Sequence, residues 1–247
     1  MLKTLIEKLV SGRKAPVKVE PVPTMEDATR RIAAIRGDSL SYCGKPKLEN
    51  IAEAILTLRQ EGTDGDYLEA GVALGGSAIL IGHLKPQAAT LSLHDVFAMI
   101  PPPGEKDGED AHKRYDEIKS GSSAGLGGNT YYGYVEGLQA VVEQNLVKAG
   151  LDLERDHIAC VPGLFEDALH PAKPLAFAHI DCDWFDSVQV CIERIVPQLV
   201  PGGIMIFDDY SSYSGCRRAV DAWLDADPRF EKLFHRRSLA VRLRKAG

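Results

Sequence analysis

The amino-acid sequence predicts an α/β fold: one doubly wound, mostly parallel sheet, with an antiparallel hairpin at its C-terminal end. Three observations lead there. Short apolar runs alternate with helical patterns along most of the chain, the signature of parallel strands joined by crossover helices. Two of those runs, Phe177–Ile180 and Ile204–Phe207, stop abruptly at carboxylates: Asp181 and Asp183 in AFAHIDCDWFDS, Asp208 and Asp209 in GGIMIFDDYSS. Buried parallel strands look like this where their carboxyl ends open into a crevice. The last segment, RFEKLFHRRSLAVRLRK, reads as two strands about a short turn.

Taken in order, the chain opens with MLKTLIEKLVSGRKAPVKVEP, amphipathic and basic but without an apolar h-region or a small-residue cleavage site. It reads as a short helix plus linker rather than a signal peptide. Pro16, Pro21 and Pro23 make residues 11–24 an extended arm. Helical patterns follow over about Thr24 to Arg36 and Leu48 to Glu61, the second closed by Gly62. DYLEAGV is a strand, GGSAILIGHL a helix and TLSLHDV a strand. The polar stretch 101–133 then interrupts the alternation with PPPGEKDGED, GSSAGLGGNT and the tyrosines Tyr131, Tyr132 and Tyr134. Loops of that length in compact domains are functional lids or disordered, and few apolar residues are present to hold this one down. A helix over about Val135–Ala149, the strand HIACVPG, a turn into FEDAL and the strand LAFAHID resume the pattern. A helix over about Ser187–Leu199, with Asp186 as its N-cap, the strand GGIMIFD and a helix over about Gly215–Leu224 complete it.

With 247 residues and 45% hydrophobic composition, the chain can bury one sizeable core without a second domain. A formal net charge of -6 argues against a nucleic-acid partner, whose binding surfaces are basic. No stretch approaches the ~20 apolar residues of a membrane span. Five cysteines, odd in number and without a CxxC pair, read as free thiols of a cytoplasmic protein and for the most part as small core residues.

Chemistry concentrates at the strand ends. Two neighbouring strands would bring Asp181, Asp183, Asp208 and Asp209 within a few ångströms, and such like charges need protons or a cation between them. A hard divalent cation with oxygen ligands is the natural partner. At the first strand-to-helix turn stands Glu69-Ala70-Gly71-Val72-Ala73-Leu74-Gly75-Gly76-Ser77. It lacks the GK[ST] of a phosphate loop and is not a GxGxxG. Glu69 would repel a pyrophosphate but tolerates a cationic or zwitterionic nucleoside such as S-adenosylmethionine. A glycine turn that only packs the helix onto the sheet fits the same residues. Asp95, ending the second strand, suits ribose hydroxyls and equally a turn cap. Glu166 and Asp167 suit a solvated first helical turn. His94 and His179 lie inside strands as core histidines, Arg217 and Arg218 on a solvated helix face, and Trp184 beside the acids is the aromatic best placed for an acceptor pocket.

With these residues in place, the chain resembles the macrocin O-methyltransferase (TylF-like) family. The matching segments are GDYLEAGVALGGSAILI, Asp95-Val96-Phe97, VPGLFEDAL, HIDCDWFDS and LVPGGIMIFDDYSSYSGCRRAV, spanning roughly Asp66 to Trp223. The resemblance implies a class I, Rossmann-like methyltransferase that uses S-adenosylmethionine and Mg2+ to methylate sugar hydroxyls. Its body would be residues 66–247, with residues 1–65 as a helical arm and cap and a lid at about 101–133. It makes Asp181, Asp208 and Asp209 the metal ligands and Asp183 the general base. Glu69, Gly71, Gly75, Gly76, Ser77 and Asp95 become the donor-binding set. The departures, Cys182 and Trp184-Phe185 around Asp183 and the run Val-Phe-Ala-Met-Ile-Pro after Asp95, lie on the acceptor side. The partner is a small hydroxyl compound, a sugar or glycoside, with a catechol as the alternative and a homo-oligomer left open. A nicotinamide-dependent oxidoreductase would show a full GxGxxG and leave Asp208-Asp209 unexplained. A non-catalytic protein of the same fold would have lost carboxylates that are all present here.

Overall fold

The computed structural model describes residues 20–245. The N-terminal helix and most of the arm expected ahead of the core lie outside the described residues. Two helices come first. Helix α1 (Met25–Gly37) starts with a reciprocal cap, the Asp27 N–H donating to Thr24 Oγ1 and the Thr24 N–H to Asp27 Oδ2. Helix α2 (Lys45–Glu61) has Pro46 in its first turn and ends on Gly62 in the left-handed region. Leu48, Ile51, Ile55 and Leu58, at helical spacing, bury its inner face completely.

The alternation follows: β1 (Asp66–Ala70), α3 (Gly76–Leu84), β2 (Leu91–Asp95), α4 (Glu109–Lys119), α5 (Leu138–Lys148), β3 (Ile158–Pro162), α6 (Phe165–Ala168) and β4 (Leu175–Ile180). Then come α7 (Phe185–Ile195), β5 (Leu199–Phe207), α8 (Ser214–Ala226), β6 (Phe230–Arg236) and β7 (Ser238–Leu243). The seven strands form one sheet in the order β3-β2-β1-β4-β5-β7-β6. The pairs from β3 to β5 are parallel; β7 lies antiparallel between β5 and β6. Strand order therefore reverses between β1 and β4, which places a crevice at their carboxyl ends. Register sharpens this: Ala70 faces His94 on one side and Ile180 on the other, and Ile180 faces Phe207. The residues that follow, Gly71, Asp95, Asp181 and Asp208, come out on one edge.

Each sheet face has its own core. Tyr67, Phe177, Ile204 and Ile206 pack under α1, α2, α3 and α5; Leu68, Ala178, Met205 and Phe207 pack under α7 and α8. The helices before residue 66 thus share a core with the sheet. Among the described residues no helix is long and apolar enough to cross a membrane.

Three local expectations change. Segment 101–133 has more structure than its polar composition predicts: it carries α4, and Ala111, Ile118 and Tyr131 are buried. Helix α5 starts at Leu138 rather than Val135, because Tyr132–Tyr134 form a 3-10 turn and Gly137 is left-handed. Helix α7 starts at Phe185, so Asp186 sits inside the first turn and is not the N-cap. The cap comes from far away. Asp107 Oδ1 accepts the Phe185 N–H at 2.8 Å, while its Oδ2 accepts the Gly104 N–H at 3.0 Å. Replacing Asp107 with Ala should therefore lower stability by about 1–2 kcal/mol. At this chain length that is about 2–8 °C of Tm in a thermal melt; an unchanged Tm would show that solvent replaces the cap.

Candidate active site

The site is built at the carboxyl ends of β1, β2, β4 and β5. Gly71 follows β1 at φ +89°, and a Cβ there would lie 1.8 Å from the Asp181 carbonyl oxygen. No side chain fits, so the loops after β1 and β4 touch backbone to backbone. Asp95 braces the first loop: its Oδ2 accepts the Val72 and Ala73 N–H groups at 2.7 and 3.2 Å, and its Oδ1 the Phe97 N–H at 2.8 Å. Burial outweighs those bonds and pushes the Asp95 carboxyl above its usual range.

Asp181, Asp208 and Asp209 converge as the sequence predicts, each offering a carboxylate oxygen within 4.8 Å of the others. Their neighbours are the surprise. Lys47, from the first turn of α2, places Nζ 2.5 Å from Asp208 Oδ2 and 3.6 Å from Asp209 Oδ1. His179 is not an ordinary core histidine: fully buried, it lies with Nδ1 2.8 Å from Glu69 Oε1 and Nε2 3.6 Å from Asp208 Oδ1. Burial disfavours its charge, yet the flanking carboxylates prevail and push its pKa up to about 9. The Cys43 thiol lies 3.5 Å from Asp181 Oδ2 and 3.7 Å from Asp208 Oδ2.

The acids differ in consequence. Burial would raise the Asp208 carboxyl, but His179 and Lys47 outweigh it and hold it below the usual range. Burial, and then Asp208 and Asp209, push Asp181 well up; burial, and then Asp209, do the same to Asp183. Asp183 adopts φ 60°, a left-handed conformation that Asp tolerates better than most residues. Trp184 anchors the turn beyond it, donating Nε1–H to the Pro101 carbonyl at 2.9 Å and meeting Tyr213 edge to face.

Two cavities flank this ridge. One, of about 290 Å³, runs toward Val96, Ile100, Leu164 and Phe165. The other, of about 250 Å³, is walled by Tyr42, Lys47, Arg114, Tyr131 and Tyr213 and floored by the acids. They share six residues: Gly71, Asp95, Tyr132, Asp181, Asp183 and Trp184. A group passing from a ligand in one to a ligand in the other would cross at Asp181 and Asp183. The other four residues of the expected donor set are buried. Glu69 is fully buried in β1 against His179; Gly75, Gly76 and Ser77 are buried at the start of α3, and none of the four lines either cavity. At Gly76 a Cβ would stand 2.5 Å from the Leu40 carbonyl oxygen, so this glycine admits the segment between α1 and α2.

Comparison with known proteins follows the same lines. The profile of the macrocin-O-methyltransferase (TylF) family matches residues 17–245. The chain belongs to this family. Among relatives, an 8-demethyl-8-(2,3-dimethoxy-alpha-L-rhamnosyl)-tetracenomycin-C 4'-O-methyltransferase of Streptomyces olivaceus is 28% identical over 231 residues, covering 89% of this chain and 81% of that one. A mycinamicin III 3''-O-methyltransferase of Micromonospora griseorubida is 29% identical over 193 residues, 74% of this chain and 69% of that one. The solved structure of the O-methyltransferase NovP superposes with a TM-score of 0.68 at 25% identity, covering 84% of this chain and 83% of that one. The fold is that of class I O-methyltransferases, and this member of the macrocin O-methyltransferase family is an O-methyltransferase.

Lys47, Cys43, His179, Arg114 and Asp107 are what reading the sequence missed. His179 carried a signal, since a polar residue inside an otherwise apolar buried strand needs a partner. The others reach the site from distant segments, and nothing in their neighbourhoods marks them.

Proposed function

We propose that this chain transfers the methyl group of S-adenosylmethionine to a hydroxyl of a sugar or glycoside, with a divalent cation held by Asp181, Asp208 and Asp209. The observation that carries the reading is the acid ridge standing on the seam between two cavities. The rhamnosyl group in the substrate that one relative's name prints favours a sugar hydroxyl as acceptor.

The residues suit a divalent cation. Five carboxylates, Glu69, Asp181, Asp183, Asp208 and Asp209, face two cationic side chains, Lys47 and His179, so negative charge is left over. Asp208 Oδ1 and Asp209 Oδ2 are buried without a hydrogen-bond partner, and an oxygen-rich set of this kind suits Mg2+. When bound, such an ion lowers the pKa of an acceptor hydroxyl and orients it. A sulfonium donor would supply an activated methyl group, passed to the acceptor oxygen as the carbon–sulfur bond breaks and a neutral thioether departs.

The chain's own part is positioning and proton transfer. Asp95 and Gly71, which line both cavities, hold the donor in the first, with the ribose hydroxyls on Asp95. The tyrosine wall and Arg114 orient the acceptor in the second. Asp183, lining both cavities, takes the hydroxyl proton. Residues 66–247 are the methyltransferase body; the preceding segment closes the second cavity with Tyr42, Cys43 and Lys47. Segment 101–133 roofs both cavities and excludes water from the donor.

A donor-consumption screen over nucleotide sugars, glycosides and catechols tests this reading. Turnover with a sugar hydroxyl supports it, and turnover confined to catechols overturns the acceptor class. Within the same reading, Asp95→Ala should weaken donor binding by about 1.5–3 kcal/mol, the worth of a hydrogen bond to a charged group. Titration calorimetry with S-adenosylmethionine measures it, and an unaltered Kd would make Asp95 a loop brace only.

A further inference from the structure

We propose that Lys47 is a built-in counter-cation of the acid ridge: its ammonium stands in for part of the charge of a divalent ion and weakens that ion's binding. The inference rests on the metal reading above.

Lys47 has no local reason to be where it is. It occupies the first turn of α2, ahead of the sheet, and its side chain is only 17% exposed. A lysine head group is normally solvated, and burying it is unfavourable unless it is paired. Here the stem reaches across to Asp208 and Asp209 from a helix that cannot retreat. Asn50, one turn on, donates Nδ2–H to the Arg236 carbonyl at 2.6 Å and to Ser238 Oγ at 2.8 Å, and Leu48 and Ile51 are fully buried. The backbone under Lys47 is fixed, so only its four-carbon stem can adjust.

Its ammonium also leaves room. It takes Asp208 Oδ2 and the near oxygen of Asp209, while Asp208 Oδ1 and Asp209 Oδ2 keep no hydrogen-bond partner. A divalent ion using those oxygens, the first of them 3.6 Å from His179 Nε2, would share both carboxylates with an ammonium a few ångströms away. Like charges at that separation, under a partly buried dielectric, repel appreciably. The ridge is therefore partly compensated before an ion arrives and holds the ion less tightly once it does. A purely structural prop behaves oppositely: by presetting the ligands it would strengthen the site.

The sign of one change decides. Mn2+, which accepts the same hard oxygen ligands, can be titrated into the full-length chain by electron paramagnetic resonance, without donor or acceptor. Lys47→Met should bind Mn2+ about 10–100-fold more tightly than wild type. Lys47→Arg, which keeps the charge, should stay close to wild type. In excess chelator Lys47→Met should melt below wild type, and saturating Mn2+ should close the gap. A Lys47→Met protein that folds only when Mn2+ is supplied supports the proposal equally; one that fails to fold even then makes Lys47 a prop and overturns it. Unchanged or weaker Mn2+ binding in folded Lys47→Met also overturns it, leaving the metal reading intact. Absence of Mn2+ binding in all three proteins overturns that reading and this inference with it.

Discussion

Excess chelator should reduce methyl transfer to background, and Mg2+ should restore it in full. The expectation comes from charge and from unmet bonds. Lys47 and His179 do not balance the five carboxylates around them, and two carboxylate oxygens at the centre of the ridge are buried without partners. Without a divalent ion, the cluster relieves itself by taking up protons, which is what the strongly raised carboxyls of Asp181 and Asp183 express. A protonated Asp183 cannot accept a proton from the acceptor, and a sugar hydroxyl beside it is a poor nucleophile. Loss of Lewis-acid activation alone is worth several kcal/mol, so the rate should fall by at least about 10³-fold. The measurement is S-adenosylhomocysteine formation before and after chelation, followed by a Mg2+ titration. Donor binding, measured separately, should hardly change, because neither Asp208 nor Asp209 lines the first cavity. Full activity in excess chelator would remove the metal from the mechanism.

How much of this was legible in the sequence depends on the range of the interaction. The sheet was legible because each buried strand states its own burial in five or six residues, and the hairpin because two strand patterns flank one short turn. Asp181, Asp208 and Asp209 were legible because they end such strands, so register alone brings them together. Lys47 was not: from the first turn of α2 it reaches residues 161 positions away in the sequence. Asp107 was not either, since it caps a helix 78 residues on. Helix α4 stayed hidden because its run, EDAHKRYDEIK, is nearly all polar, with Ala111 and Ile118 its only buried residues. Of the expected donor set, Gly71 and Asp95 line the cavities, whereas Gly75, Gly76 and Ser77 are buried at the start of α3. Backbone strain was beyond reach altogether. Ala73, Phe97 and Asp183 all take positive φ, one in each loop after β1, β2 and β4. Non-glycine residues in that region persist only where their surroundings hold them, and they gather at functional sites.

Asp183→Asn should lower the chemical step by about 10²–10⁴-fold while donor and metal still bind. The choice of substitution follows from the backbone. At φ 60° an alanine would add strain of about 1–2 kcal/mol, confounding a lost proton acceptor with a displaced loop, whereas Asn accepts the left-handed conformation nearly as well as Asp. Trp184, pinned to the Pro101 carbonyl and against Tyr213, keeps the turn in place in either protein. Asn can still accept one hydrogen bond from an acceptor hydroxyl but cannot take its proton at neutral pH. The competing account is also visible in the structure. Asp183 lies against Asp209, and each biases the other's protonation. If that contact only supports the metal ligands, its loss should reduce metal affinity by roughly 10–100-fold, and extra Mg2+ should rescue the rate. Single-turnover rates of Asp183→Asn across a Mg2+ titration separate the two. A low rate that stays flat as Mg2+ rises identifies the proton acceptor. A rate that climbs back toward wild type would reassign Asp183 to the support of Asp209 and leave the base to be sought among the tyrosines of the second cavity wall.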